Sequence, residues 1–413
     1  MTNLLVAQSG GCTAVINSSL VGVVDEALEG SGIAGVYGAR FGIRGLLDEE
    51  FIDLGRQDRA TLDRVRRTPS AALGSARYKL SDDECARCLD ALARHGVGIF
   101  LIIGGNDSAD TAHRLGRMAA TRGQDLRVVT VPKTIDNDLP DTDHCPGYGS
   151  AARFLAQGVL DGGRDAEAIS HWDPVKVVEV MGRDAGWLAA ATALGARDER
   201  DAPHLVYVPE RPFALDAFLQ DVAAVHARLG YCVAVVAETV RGADGRPVGG
   251  LEAAAPVDAF GHPVIAGTAA ALCGAVGARL GLKARFDKPG TMQRMSMTLV
   301  SETDWREAYE CGRAAVRAAV EGRSEVMVTL RRTSDDPYSC ATGLTPVANV
   351  ANRQRLLPDE YLHPACPWVT AAFLAYARPL IGGPLLDYGR LADLSVASTN
   401  EGPAQTTPRR PLV

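Results

Sequence analysis

Four aspartates, Asp136, Asp138, Asp141 and Asp143, crowd into the stretch VPKTIDNDLPDTDHCPGYGS (131–150), with one lysine, Lys133, set against them. Asp and Asn favour solvated turns because their side chains bond the local backbone, so the plain reading is a surface loop capping a strand. Position argues for more. The apolar run LRVVTVP ends at the cluster, and open α/β sheets bind ligands beyond the carboxyl ends of their strands. Two further apolar runs end in paired glycines, Gly10 and Gly11 in AQSGGCTAVIN and Gly104 and Gly105 in IIGGNDSADT. Glycine lets backbone N–H groups approach a ligand closely, and a helix starting just beyond adds its positive dipole end, so both turns suit phosphate oxygens. Neither reads GxGxxG nor a P-loop, which weakens a dinucleotide or Walker-type reading and leaves phosphate binding open.

Phosphoryl transfer to an alcohol needs a carboxylate to take the hydroxyl proton, cations to neutralise the phosphoryl oxygens, and rigid positioning of both substrates. Asp136 or Asp138 can serve as base or hold magnesium, and Arg77 in ALGSARYKL can stabilise the moving group. Arg183 in EVMGRDAGW, with Arg285 and Arg294 in ARFDKPGTMQRM, supplies three guanidinium forks suited to an acceptor's own phosphate. Arginines are common on any surface of this size, so the weight rests on the spacing of whole motifs.

The elements that must hold these residues alternate in the first 150 positions. NLLVAQ leads into SGGCTAVINSSLVGVVDEAL, VGIFLII into GGNDSADTAHRLGRMAATR, and LRVVTVP into the aspartate loop. Such alternation predicts a parallel, doubly wound sheet. VKVVEV, HLVYVPE and YCVAVVAETV predict strands of a second α/β unit. The Gly/Pro/Ala-rich stretch 241–263 reads as an irregular insertion, periodicity weakens after SEVMVTLRR, and NEGPAQTTPRRPLV reads as a loose tail.

The 413 residues, 46% hydrophobic and 23% charged, suffice for two or three domain-sized units. A formal charge of -7 without a basic, aromatic-interleaved run argues against nucleic acid. MTNLLVAQSGG shows no basic leader, and no run approaches the roughly 20 apolar residues of a membrane span, so a cytoplasmic protein is expected. Nine scattered cysteines read as reduced thiols. Cys85 and Cys88 stand at CxxC spacing without the second pair that a zinc site needs.

From LVAQSGGCTAVINSSL through GIRGLL, LGSARYKL, IIGGNDS, PKTIDND, EVMGRDAGW and VAETV to GTMQR, roughly residues 3 to 330, the chain resembles the phosphofructokinase family in motif order. The resemblance implies two doubly wound α/β domains with the active site between them. A donor domain would comprise 1–148 with about 294–345, a sugar-phosphate domain 149–293 with about 346–400, and 401–413 a tail. By resemblance Asp136 is the base for the sugar 1-hydroxyl, beside Thr134 and Asp138. Asp138 assists magnesium, with Asn106 and Asp107. Gly10, Gly11, Gly105 and Arg77 meet the donor phosphates; Met181, Gly182, Arg183 and Glu238 contact fructose 6-phosphate; Arg285 and Arg294 hold its 6-phosphate. The expected assembly is a homodimer or homotetramer.

The donor is read from two positions. ATP-using members usually read GGDG and PGTIDND, pyrophosphate-using ones GGDD and PKTIDND; this chain reads GGND and PKTIDND. Asp107 stands where a carboxylate would meet the α-phosphate of ATP, and two unit charges about 4 Å apart repel by on the order of 4 kcal/mol at an effective dielectric near 20. Lys133 adds a compact cation where pyrophosphate has no nucleoside to grip. The resemblance therefore implies a pyrophosphate-dependent enzyme. The alternatives are an ATP-dependent kinase of the same fold and a silent sugar-phosphate sensor, the latter motivated by Asn106, Thr291 and Pro174, which depart from the family pattern. The region past 330 is assigned no catalytic role.

Overall fold

The computed structural model describes residues 2–29, 32–249, 267–392 and 394. The tail 401–413 and the greater part of the 241–263 insertion lie outside them. The strands are β1 (Thr2–Gln8), β2 (Ile33–Ala39), β3 (Phe51–Asp53), β4 (Val97–Gly104), β5 (Arg127–Pro132), β6 (Val175–Val180), β7 (Leu205–Tyr207), β8 (Cys232–Ala237), β9 (Ala284–Asp287), β10 (Val326–Asp335) and β11 (Tyr338–Pro346). The helices are α1 (Ile16–Leu28), α2 (Ile43–Leu47), α3 (Arg59–Arg66), α4 (Asp82–Arg94), α5 (Asn106–Thr121), α6 (Tyr148–Ala168), α7 (Trp187–Ala191), α8 (Leu215–Leu229), α9 (Thr268–Leu280), α10 (Glu302–Val320) and α11 (Ala371–Ala377).

Two sheets result. The first has seven strands in the order β11-β10-β5-β4-β1-β2-β3, parallel from β10 to β2, with β3 and β11 antiparallel at its edges. The second has four parallel strands in the order β7-β8-β6-β9. Parallel strands are covered by helices on both faces, which is why β4 and β8 read as nearly unbroken apolar runs. One face of the first sheet packs against α4 and α5, the other against α1 and α10. A separate core joins the second sheet to α6, α8, α9 and α11.

Each expected strand is present, and the second unit is an α/β sheet as its runs imply. The region past 330 differs from its reading as weakly patterned chain. There β10 and β11 form a long antiparallel hairpin whose outer end alternates between half-buried and exposed residues. A two-residue period with polar members carries little apolar signal. After it, Val347 and Val350 pack in the core beneath the first sheet, whereas Leu357, Leu362 and Phe373 belong to the second core, so the chain crosses between the units around 351–356.

Cys85 and Cys88 lie fully buried on the inner side of α4, where burial pushes the Cys88 thiol up to about 12. Such thiols are inert. Among the described residues no group of three or more His, Cys, Asp or Glu side chains could hold a metal unaided, and no helix is long and apolar enough to cross a membrane.

Candidate active site

The carboxyl ends of β1, β4 and β5 in the first sheet meet those of β6 and β8 in the second around one cleft of about 480 Å³. Gly10, Gly11, Arg77, Gly105, Asn106, Asp107, Lys133, Thr134, Asp136, Asp138, Met181, Arg183, Glu238 and Arg294 all line it. Residues as far apart in the chain as Gly10 and Glu238 thus share one cavity, because parallel strands deliver their ends to the same edge.

The glycine turn after β1 is packed under two cations. Gly10 has φ +76, and a Cβ there would sit 3.1 Å from Lys133 Nζ; one on Gly11 would sit 3.0 Å from an Arg294 terminal nitrogen. The pair of glycines therefore leaves room for a lysine and an arginine to reach the backbone. Lys133 is 3% exposed; its peptide N–H donates to the Gly104 carbonyl at 3.1 Å, while its ammonium makes no hydrogen bond or ion pair among the described residues. Burial lowers its pKa to about 8, against the pull of Cys12 and Asp136. Arg294 faces this glycine turn, and its Nε is buried without a hydrogen-bond partner among the described residues.

Opposite, α5 begins at Asn106 with Gly105 as its N-cap, and the Asn106 side-chain oxygen accepts a hydrogen bond from the Asp107 N–H at 2.9 Å. Asn106, Asp107 and Ser108 line the cleft from this first turn.

The aspartate loop divides in two. Thr134 Oγ accepts from the Asp136 N–H at 3.1 Å, and its side chain also bonds Asp138. Asp136 is part-open to the cleft, and its carboxyl is pushed up to about 7 by burial and by the nearby Asp138 and Glu238 charges, against Arg183 and Lys133. Burial also raises Asp138, while Thr134 and Gln354 hydrogen bonds hold it back. Asp141 and Asp143 lie outside the cleft. Asp141 accepts from Thr345 and Asn349, and Asp143 pairs with His144 and Arg332. Half of the negative charge that drew attention to this stretch is therefore scaffold.

On the sugar side, Met181 N–H donates to the buried Gln293 side chain at 3.1 Å. Gly182 is not in the cleft lining; it adopts φ +117, and a Cβ there would come within 2.6 Å of the Ala185 carbonyl, so it serves the turn that presents Met181 and Arg183. Burial raises the Glu238 pKa, opposed by Lys288 and Arg183. Arg285 lies on β9, 61% exposed, with its Nε on Asp173 at 2.6 Å, and does not line the cleft of its own chain. Pro174 is buried where β6 begins, while Thr291 and Met292 are exposed and outside the lining.

Ser9, Cys12, Thr13 and Asp184 join the site beyond the sequence expectation, and so do Asn352 and Gln354. Neighbours of a recognised motif were within reach of the sequence. Asn352 and Gln354 were not, since no apolar pattern or motif marks them and they arrive through the late crossing of the chain.

Two α/β units that close on a cleft with opposed carboxylates, glycine turns and four cationic side chains define a phosphotransferase for an anionic acceptor. Residues 3–320 match the family model described as Phosphofructokinase, and the chain belongs to the phosphofructokinase family. It is 42% identical over 399 residues to the pyrophosphate–fructose 6-phosphate 1-phosphotransferase of Rhodospirillum rubrum, covering 95% of this chain and 98% of that one. The protein of the same name from Xanthomonas campestris pv. campestris is 41% identical, with 92% of each chain covered. The crystal structure of pyrophosphate-dependent phosphofructokinase from Nitrosospira multiformis superposes with a TM-score of 0.85 at 38% identity over 95% of both chains.

Proposed function

We propose that this chain transfers a phosphoryl group from pyrophosphate to the 1-hydroxyl of fructose 6-phosphate, yielding fructose 1,6-bisphosphate and phosphate. The observation that carries the donor is Lys133: a buried ammonium over the Gly10 turn, without a hydrogen bond or ion pair among the described residues, in a cleft where Asp107 also stands. A small polyanionic donor satisfies that cation, whereas the Asp107 carboxylate repels a longer polyphosphate chain.

In this reading Asp136 accepts the proton of the 1-hydroxyl as its oxygen bonds to phosphorus. The bond from that phosphorus to the bridging oxygen breaks, and the proton passes from Asp136 to the departing phosphate. Arg77 and Lys133 neutralise the phosphoryl oxygens, and the glycine turns add backbone N–H groups; Arg294, expected on the 6-phosphate, faces the Gly11 turn and joins them there. Arg183 and Glu238 orient the sugar. The carboxylates of Asp138 and Asp107 are hard oxygen donors of the kind magnesium takes one or two of, with substrate phosphates completing its shell. Bound magnesium would add charge neutralisation at the donor oxygens.

A homodimer or homotetramer accords with Trp172, Phe286 and Met292, which lie exposed on and beside edge strand β9. Nine free thiols accord with the cytoplasm. The deciding experiment is a donor screen with fructose 6-phosphate and magnesium. Turnover with pyrophosphate and little with ATP is expected; ATP turnover with pyrophosphate inert would overturn the donor, and inertness with both would overturn the catalytic reading.

A further inference from the structure

The loop 133–147 that carries Asp136 and Asp138 contains no helix and only an isolated bridge, so its carbonyls need partners from elsewhere. Several find the same one. Arg355 donates from one terminal nitrogen to the Thr142 and Asp143 carbonyls, each at 2.6 Å. From the other terminal nitrogen and Nε it donates to the Asn137 carbonyl at 2.8 and 3.2 Å. Its peptide N–H donates to the Asp138 carbonyl at 2.7 Å. The guanidinium also lies over Trp187, 4.6 Å from the ring centroid, and Trp187 Nε1 donates to the Arg355 carbonyl at 3.2 Å.

We propose that Arg355 is a positioning residue for the transfer, locking the loop of Asp136 and Asp138 against the sugar-side turn that runs from Met181 to Trp187. Asn137, between the two aspartates, has φ +56 and is pinned on its other side by the Cys145 N–H and the Tyr376 hydroxyl. With Arg355 on its carbonyl, the peptide joining base and neighbour has no slack. A planar fork can bridge carbonyls five residues apart and stack on an indole at once; an ammonium of similar length offers one point of contact. The adjacent Gln354 reaches Asp138 Oδ2 at 3.4 Å, a contact that depends on the same placement of the backbone. Reacting groups must be held to a fraction of an ångström, and a displacement of about 1 Å can cost about 100-fold in rate.

The inference rests on the proposed roles of Asp136 and Asp138, so its test includes a measurement independent of turnover. Arg355→Lys and Arg355→Gln are compared with the unmodified chain by steady-state kinetics with pyrophosphate and fructose 6-phosphate, and by amide hydrogen exchange across 136–146. Arg355→Lys should lower kcat by about 10- to 100-fold, leave both KM values within about threefold, and speed exchange in the loop. Arg355→Gln should be the more severe. Unchanged exchange in both variants overturns the proposal, as does faster exchange with kcat within about twofold of wild type. If the glutamine variant does not fold, the lysine variant, which keeps the charge, decides. An unmodified chain inert with this substrate pair strikes the functional reading, and exchange then still decides whether Arg355 holds the loop.

Discussion

Replacing Asp136 by Asn should destroy activity and stabilise the protein in one step. The carboxyl lies between Asp138 and Glu238, and burial with these two charges carries its pKa from 3.8 to about 7. The folded protein thus keeps a proton that the unfolded chain gives up near pH 4, so wild type loses stability as pH rises through the window from about 4 to about 7. Three units at about 1.4 kcal/mol each give on the order of 4 kcal/mol, reduced to about 2 where water of the cleft screens the group. Asn carries no charge and escapes this cost. With metal and substrates removed, Asp136→Asn should therefore melt above wild type at pH 8, with the difference closing below about pH 4. Loss of a general base removes a factor of about 100 to 10,000 from kcat, about 3 to 5 kcal/mol of barrier, with little change in the KM for fructose 6-phosphate. Melting by calorimetry from pH 4 to 8 and initial rates at saturating pyrophosphate give both quantities. Turnover within about tenfold of wild type would refute the base assignment, and a melting temperature below wild type at pH 8 would refute the electrostatic account.

Lys133→Ala should raise the KM for pyrophosphate by about tenfold or more and spare sugar affinity, while Asp107→Gly should raise ATP turnover from a low base; equal damage to both substrates in the lysine variant would contradict the donor site. Because Asp136 must lose its proton and Lys133 keep one, kcat/KM for pyrophosphate should rise through about pH 7 and fall above about pH 8. A flat profile over that range argues against the pair. Gly182→Ala forces a side chain into φ +117 and against the Ala185 carbonyl, so it should raise the KM for fructose 6-phosphate with a stability loss of about 1 to 3 kcal/mol; an unaltered KM would free that turn from the sugar site. Burial works against a charge on His144, but its hydrogen bonds to Asp143 and Glu307 prevail and hold the pKa up to about 9. Its contribution is full below about pH 6.5 and disappears as pH rises through about 9, so denaturation of wild type against His144→Gln should show a gap that closes in alkali.

The motifs at the ends of β1, β4, β5, β6 and β8 were legible in the sequence because each sits within a few residues of an apolar run, and a doubly wound sheet gathers such ends on one edge. TIDND, the glycine pairs and MGRDAG need only local backbone to become what they are. Tertiary structure decided the rest. It set Asp136 and Asp138 in the cleft and made Asp141 and Asp143 scaffold, although all four share one composition signal. It turned Arg294 toward the Gly11 turn and left Arg285 paired with Asp173, a difference of direction that spacing along the chain does not encode. Most of all, it brought Gln354 to Asp138 across 216 residues and spread Arg355 over the carbonyls of the same loop. A side chain that bonds backbone carbonyls leaves no pattern at either end, because any residue type supplies a carbonyl. Only the packing of the two cores, which fixes where the late segment crosses, determines which carbonyls those are.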